Sequence, residues 1–120
     1  MATNTKVVLG EGKAPATLSV CWMVNIDSDD VSGAANIRAA EAGKRHFIES
    51  VCVTLLSGGT NWFKILDGTT EIVGPITTAN GVPWVYHYRR PIYGTANTNL
   101  RIKTQSTCVI HALIEGFTDV

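Results

Sequence analysis

Turn signals recur along this chain about every 8 to 12 residues, dividing it into runs of strand length rather than helix length. They are Asp27-Ser28-Asp29-Asp30, Glu41-Ala42-Gly43-Lys44, Gly58-Gly59, Asp67-Gly68, Gly74-Pro75 (which closes the second hairpin arm or bulges it), Asn80-Gly81 and the pair Arg89-Arg90 before Pro91, with Gly94 beyond. Glycine supplies positive φ in such turns, while Asn and Asp tolerate it. The runs between them alternate with period two. In 99–105, Leu100 and Ile102 face inward while Arg101, Lys103 and Gln105 face outward. In 82–88, Val82, Trp84, Tyr86 and Tyr88 take one face, while Val85, His87 and Arg89 take the other. In 46–55, simple alternation sets Phe47, Val51, Val53 and Leu55 against Ile48, Ser50, Cys52 and Thr54. Asp67-Gly68, between Trp62-Phe63-Lys64-Ile65-Leu66 and Thr69-Thr70-Glu71-Ile72-Val73, predicts a hairpin. The run 107–117 is apolar on both faces, which predicts a central or doubly covered strand. The one stretch with any helical character, 36–45, is short and contains Gly43. About eight strands in an antiparallel sandwich or barrel follow.

A chain of 120 residues suffices for one domain with a real core. Hydrophobic residues at 45% and charged residues at 17% argue against disorder. Ten basic and ten acidic residues cancel, so the excess positive charge of a phosphate-backbone binder is missing and nucleic acid is not expected as a partner. Met1 to Lys13 holds no apolar run long enough for a signal peptide, and no stretch suits a membrane span. Residues 1–16 read as an extended N-terminal arm whose one apolar cluster is Val7, Val8 and Leu9. Either it frays, or it lies on a neighbouring subunit. Residues 17–120 read as a single β-sandwich domain. Cys21, Cys52 and Cys108 sit among apolar or β-branched neighbours and read as buried free thiols, with one disulfide plus a leftover thiol as the alternative. Synthesis in a reducing cytoplasm fits them best.

The usual signatures of chemistry fail one by one. His46, His87 and His111 have no metal-binding partner at ligand spacing, although strand pairing can bring distant residues together. Asp27-Ser28-Asp29-Asp30 crowds three carboxylates, but Ser32 stands where an EF-hand loop needs glycine, so a solvated turn is expected. Gly10-Glu11-Gly12-Lys13 is followed by Ala14 where a P-loop needs Ser or Thr. There is no G-x-S-x-G elbow, and Glu49, Glu71 and Glu115 are isolated from one another. No catalytic residue, cofactor or metal is expected, and the chain is expected to bind and assemble rather than catalyse.

What remains is aromatic and cationic density: Trp62, Phe63, Trp84, Tyr86, Tyr88 and Tyr93, with Arg89 and Arg90. Aromatics and arginine are enriched at interface hot spots because they bury large areas and keep a polar handle. The same rings can fill the core or stack on sugars. Trp84, Tyr86, Tyr88, Arg89 and Arg90, together with Val7, Val8 and Leu9, are the expected contact surface.

Three segments carry a family resemblance: Ala42-Gly43-Lys44-Arg45-His46-Phe47-Ile48-Glu49-Ser50-Val51, Phe63-Lys64-Ile65-Leu66-Asp67-Gly68-Thr69, and Arg90-Pro91-Ile92-Tyr93-Gly94-Thr95-Ala96-Asn97-Thr98-Asn99-Leu100 with the later Glu115-Gly116-Phe117. From 36 to 120 the chain resembles small structural proteins of tailed-phage virions, the jelly-roll or sandwich type used as capsid decoration (cement) proteins and related head or fibre components. The resemblance implies a jelly-roll-like sandwich on a capsid surface. Its partners would be the phage major capsid protein and further copies of itself, as a homodimer or homotrimer. The alternative it implies is a receptor- or glycan-binding module of a tail or head fibre.

Overall fold

The computed structural model describes residues 6–13, 20–57 and 59–119. The strands among them are β1 (Lys6–Lys13), β2 (Val20–Ser28), β3 (Ala35–Arg38), β4 (His46–Leu55), β5 (Asn61–Asp67), β6 (Thr70–Thr78), β7 (Trp84–Tyr93), β8 (Leu100–Thr104) and β9 (Ile110–Thr118). They form two antiparallel sheets, ordered β1-β2-β9-β4-β7 and β3-β8-β5-β6. The orders β2-β9-β4-β7 and β3-β8-β5-β6 are those of an eight-stranded jelly roll. The expected antiparallel sandwich is therefore present, with β1 added beside β2. Lys6–Lys13, inside the stretch 1–16, is a strand of the chain's own five-stranded sheet and pairs along its length with β2, from Lys6 opposite Asp27 to Lys13 opposite Val20. The side chains of Val7, Val8 and Leu9 lie outside what the structure describes.

The sheets press a shared core between them. Ile26, Ile48, Leu55, Phe63, Ile65, Leu100, Ile102, Ile110 and Ile114 are fully buried, each contributing roughly 1.5–3 kcal/mol of transfer free energy. Ring contacts fix how the layers superpose. Arg38 of β3 lies over the Trp22 ring of β2 at 5.5 Å, and Phe63 of β5 meets Trp84 of β7 edge-on at 5.6 Å. Thus β2 faces β3 at one side of the sandwich, and β7 closes over β5 at the other.

Three local readings change. The hairpin turn lies one residue later than Asp67-Gly68 suggests. Asp67 pairs with Thr70, which leaves Gly68 (φ 63) and Thr69 in the loop. Asp67 instead points its carboxylate across to accept hydrogen bonds from the Thr95 backbone N–H and hydroxyl. In β4 a bulge intervenes, because Ile48 pairs with Gly116 while Ser50 pairs with Glu115. The extra residue reverses the alternation. Ile48 joins Val51, Val53 and Leu55 in the core, and Phe47 moves to the outer face. Finally, β9 is central, between β2 and β4, but Leu113 and Phe117 on its outward side are only half-buried. They face away from the four-stranded sheet rather than into a second covered layer.

A buried polar chain ties β2, β9 and β4 to the loop before β4. Trp22 Nε1 donates to Thr118 Oγ1 at 3.0 Å, and Thr118 Oγ1 lies 2.7 Å from His46 Nδ1. His46 Nε2 lies 2.7 Å from the Ala39 carbonyl. That carbonyl can only accept, so Nε2 carries the proton and the Thr118 hydroxyl donates to Nδ1. Every member is satisfied. Beside it, a Cβ on Gly116 would run into the Phe47 carbonyl and the Trp22 ring.

Two substitutions measure these constraints by denaturant unfolding. Thr118→Val orphans the Trp22 indole N–H and His46 Nδ1, and should cost about 2–4 kcal/mol. Gly116→Ala should cost about 3 kcal/mol or more, since backbone stands in the way. Gly33→Ala, which meets nothing within 4 Å, should stay within about 0.5 kcal/mol of the parent.

Candidate functional site

Of the expected contact residues, Trp84, Tyr86, Tyr88, Arg89 and Arg90 lie on β7, at one edge of the five-stranded sheet, whereas Val7, Val8 and Leu9 belong to β1, at the opposite edge. Trp84 pairs with Val53 and Tyr86 with Val51, both core residues, so the two rings lie on the inner side of the sheet. Trp84 and Tyr88 are half-buried against the core, whereas Tyr86 is 50% exposed. The four-stranded sheet covers this row only in part. Trp84 and Tyr86 stack at 5.8 Å with 14° between planes, and Tyr86 meets Tyr88 edge-on at 4.7 Å. The three rings form one aromatic row along a half-open side of the sandwich. Ile72 and Ile76 of β6, also only partly buried, pack against the same core. Burial pushes the Tyr88 hydroxyl above its usual pKa, with Tyr86 adding to the shift, so at neutral pH it remains a donor as well as an acceptor.

Arg89 and Arg90 follow Tyr88 along β7 and are exposed. They fall where the β4–β7 ladder slips. Ile48 pairs with Ile92 and Ser50 with His87, so 88–91 loop past a single β4 residue, Glu49. Trp84, Tyr86, Tyr88, Arg89 and Arg90 thus share one strand, and the three rings are in contact.

A second surface was not singled out by the sequence. On the outer side of the five-stranded sheet, register lines up three successive rows of side chains. The first is Tyr93, Phe47, Phe117 and Cys21; the second His87, Ser50, Glu115 and Met23; the third Val85, Cys52, Leu113 and Asn25. Phe47 and Phe117 stack at 4.6 Å and 7°, Tyr93 sits 5.2 Å from Phe47, and the Arg45 guanidinium lies over Phe47 and Tyr93 at 5.1 and 5.0 Å. Val85 is 66% exposed, Tyr93 55% and Met23 45%. Two signals were available: the apolar outward parity of the last strand, and Val85 opposite the tyrosine parity. The bulge hid Phe47. The outer side of the four-stranded sheet is different in kind. It carries Arg101, Lys103 and Lys64, the last pairing with Glu71 at 2.6 Å and lying over the Trp62 ring at 4.8 Å.

The other candidates are placed as follows. Asp27 turns outward to His111, at 3.2 Å, while Asp30 accepts from the Ser32 backbone N–H and hydroxyl. Those hydrogen bonds hold the Asp30 carboxyl below its usual pKa. Among the described residues no three His, Cys, Asp or Glu side chains come together as a metal site. The three cysteines are free: Cys108 is buried, which pushes its thiol pKa up, whereas Cys21 and Cys52 are half-buried on the outer face. A depression of about 270 Å³ is lined by Ile37, Arg38, Ala39 and Glu41, and its two charged residues lie 3.3 Å apart as an ion pair.

No protein-family model matches the chain, and no curated protein does. Among solved structures, it is similar to the N-terminal endo-1,4-beta-D-xylanase 10B of Clostridium thermocellum, a structure of family 22 carbohydrate-binding and catalytic modules complexed with xylohexaose. The identity is 18%, over 97% of this chain and 24% of that one, with a TM-score of 0.37. This chain therefore spans about a quarter of that protein's length. It is similar also to the C-terminal family 22 carbohydrate-binding module of the same enzyme, at 14% identity over 98% of this chain and 82% of that one, with a TM-score of 0.36. Likenesses at this level do not bear on what this chain binds.

Proposed function

We propose that this chain is a non-catalytic binding module whose ligand lies along the half-open β7 edge, and that the ligand is a carbohydrate chain, as in the receptor- or glycan-binding modules of phage fibres. The aromatic row of Trp84, Tyr86 and Tyr88 carries this reading. Alternate residues of a strand advance about 6.6 Å, so the row forms a linear track. Its rings offer apolar surface with hydroxyl tips on the tyrosines, suited to sugars, which present apolar C–H faces and a hydroxyl rim. Arg89 and Arg90 add exposed donors to one end. An extended peptide is a poorer fit. It would need a continuous backbone ladder on the β7 edge, where Pro91 lacks a donor and 88–91 are out of register.

A second reading is supported by the virion resemblance and by the hot-spot composition of the same edge: a capsid decoration protein docking on the major capsid protein. Each copy would bind weakly, and oligomerisation would multiply that into avidity.

One pair of measurements separates the readings. Titration of the chain with a panel of oligosaccharides should raise its melting temperature in a saturable way for at least one sugar. Tyr86→Ala should weaken that binding about tenfold, or about 1.4 kcal/mol, with little loss of fold because Tyr86 is half exposed. A chain that binds none of the sugars but co-sediments with capsids lacking it, through Tyr86, would replace the glycan reading with the decoration one. Binding to neither would sink both.

A further inference from the structure

We infer that the outer face of the five-stranded sheet is the interface of a homodimer, with the faces of two copies packed against each other. This inference stands on a different face from the β7 track and does not rest on the carbohydrate reading. The observation behind it is an asymmetry between the two outer faces. One is charged, with Lys64, Glu71, Arg101 and Lys103. The other sets Tyr93, Phe47, Phe117, Val85, Leu113 and Met23 into three adjoining rows. The middle row interposes the polar His87, Ser50 and Glu115, so an aromatic row and an aliphatic row flank a polar one. Exposed aromatic and aliphatic side chains in such rows mark a protein contact. Further polar groups lie at both ends of the strands. Asp27 and His111 are 3.2 Å apart at one end, and Arg45 and Asp119 are 3.0 Å apart at the other.

The register says why the occupant is a second copy. A two-fold axis in the face, parallel to the strands and midway between β4 and β9, places Phe117 opposite the second copy's Phe47. It likewise places Leu113 opposite Cys52, and Met23 opposite His87. Glu115 then meets Ser50, so the one carboxylate within the three rows does not face its own copy. The face is self-complementary, as an isologous contact requires. Its size fits a weak dimer. Four strands about 4.8 Å apart and about 23 Å long give a footprint of roughly 450 Å² per copy. Both copies together bury roughly 900 Å², the size of a weak, readily dissociating contact. Stacked sheets lie about 10 Å apart with strands within about 30° of each other, a geometry two such flat faces can reach.

Light scattering coupled to gel filtration of the full chain tests this. At roughly 100 µM, well above a micromolar Kd, the mass should be twice the 12.9 kDa of one chain and should fall towards one chain on dilution. Leu113→Glu, in the aliphatic row of the face, should give the monomer mass at every concentration. Because Leu113 is half-buried, the more exposed Val85→Glu serves as a second variant, with circular dichroism checking that both fold. Arg101→Glu, on the opposite outer face, and Tyr86→Ala, on the β7 track, should leave the mass doubled. A parent chain that is monomeric throughout overturns the inference. So does a dimer that survives both face variants.

Discussion

The bulge in β4 is the constraint on which both surfaces depend. One extra residue between Ile48 and Ser50 reverses which side chains face inward along the strand's first half. With it, Ile48 enters the core and Phe47 stands outside between Tyr93 and Phe117. Without it, Phe47 would turn into the core and the outer aromatic row would lose its middle. The bulge also acts on β7. Across from Glu49 the partner strand runs four residues, 88–91, before pairing resumes at Ile92. That excursion holds the exposed Arg89 and Arg90, so one irregularity in a central strand shapes the outer aromatic row and the β7 edge alike.

Such a bulge needs fixed ends, and the buried polar chain supplies one of them. Trp22, Thr118 and His46 join three neighbouring strands side chain to side chain, and the Ala39 carbonyl brings in the loop before β4. In a low-dielectric interior a satisfied chain of this kind specifies one register, because any slip leaves several polar atoms unpaired. Gly116 completes the constraint by letting Trp22 and the β4 backbone approach where no side chain fits. At the same end of the strands, Asp67 ties the hairpin turn to Thr95 in the loop after β7, where the Gly94 N–H donates to the His46 carbonyl.

Much of this was legible in the sequence, and the exceptions share a cause. Regular alternation gave β8 correctly, since Leu100 and Ile102 are fully buried. Clustering of aromatics with arginine located the β7 edge. Alternation carries no mark of a bulge, so the faces of Phe47 and Ile48 were inverted. The last strand, expected to be central or doubly covered, is central between β2 and β4, but alternation does not distinguish an outer side covered by a second layer from one that is apolar for another reason. The Asp67-Gly68 pair located the hairpin but not its register, because Asp67 serves a loop 28 residues away. Each miss concerns a partner distant in sequence, where local pattern has no reach.

The two surfaces share strand β7, and its edge decides how they can be used together. An open sheet edge invites in-plane pairing with another chain, and proteins blunt it with charge, proline and irregular register. Arg89, Arg90, Pro91 and the slipped ladder put all three on β7. Growth of the sheet in its own plane is opposed there, so contacts must come from the strand's two sides. Trp84 and Tyr86 point inward from β7 while Val85 and His87 point outward, so a ligand on the track and a copy on the face do not compete for the same atoms. In the two-fold arrangement β7 of one copy lies over β2 of the other, which puts the two aromatic tracks at opposite margins of the pair. A dimer built this way presents two separated sites. An extended or repetitive ligand, whether a glycan coat or a capsid lattice, would then be held by avidity rather than by the strength of either site alone.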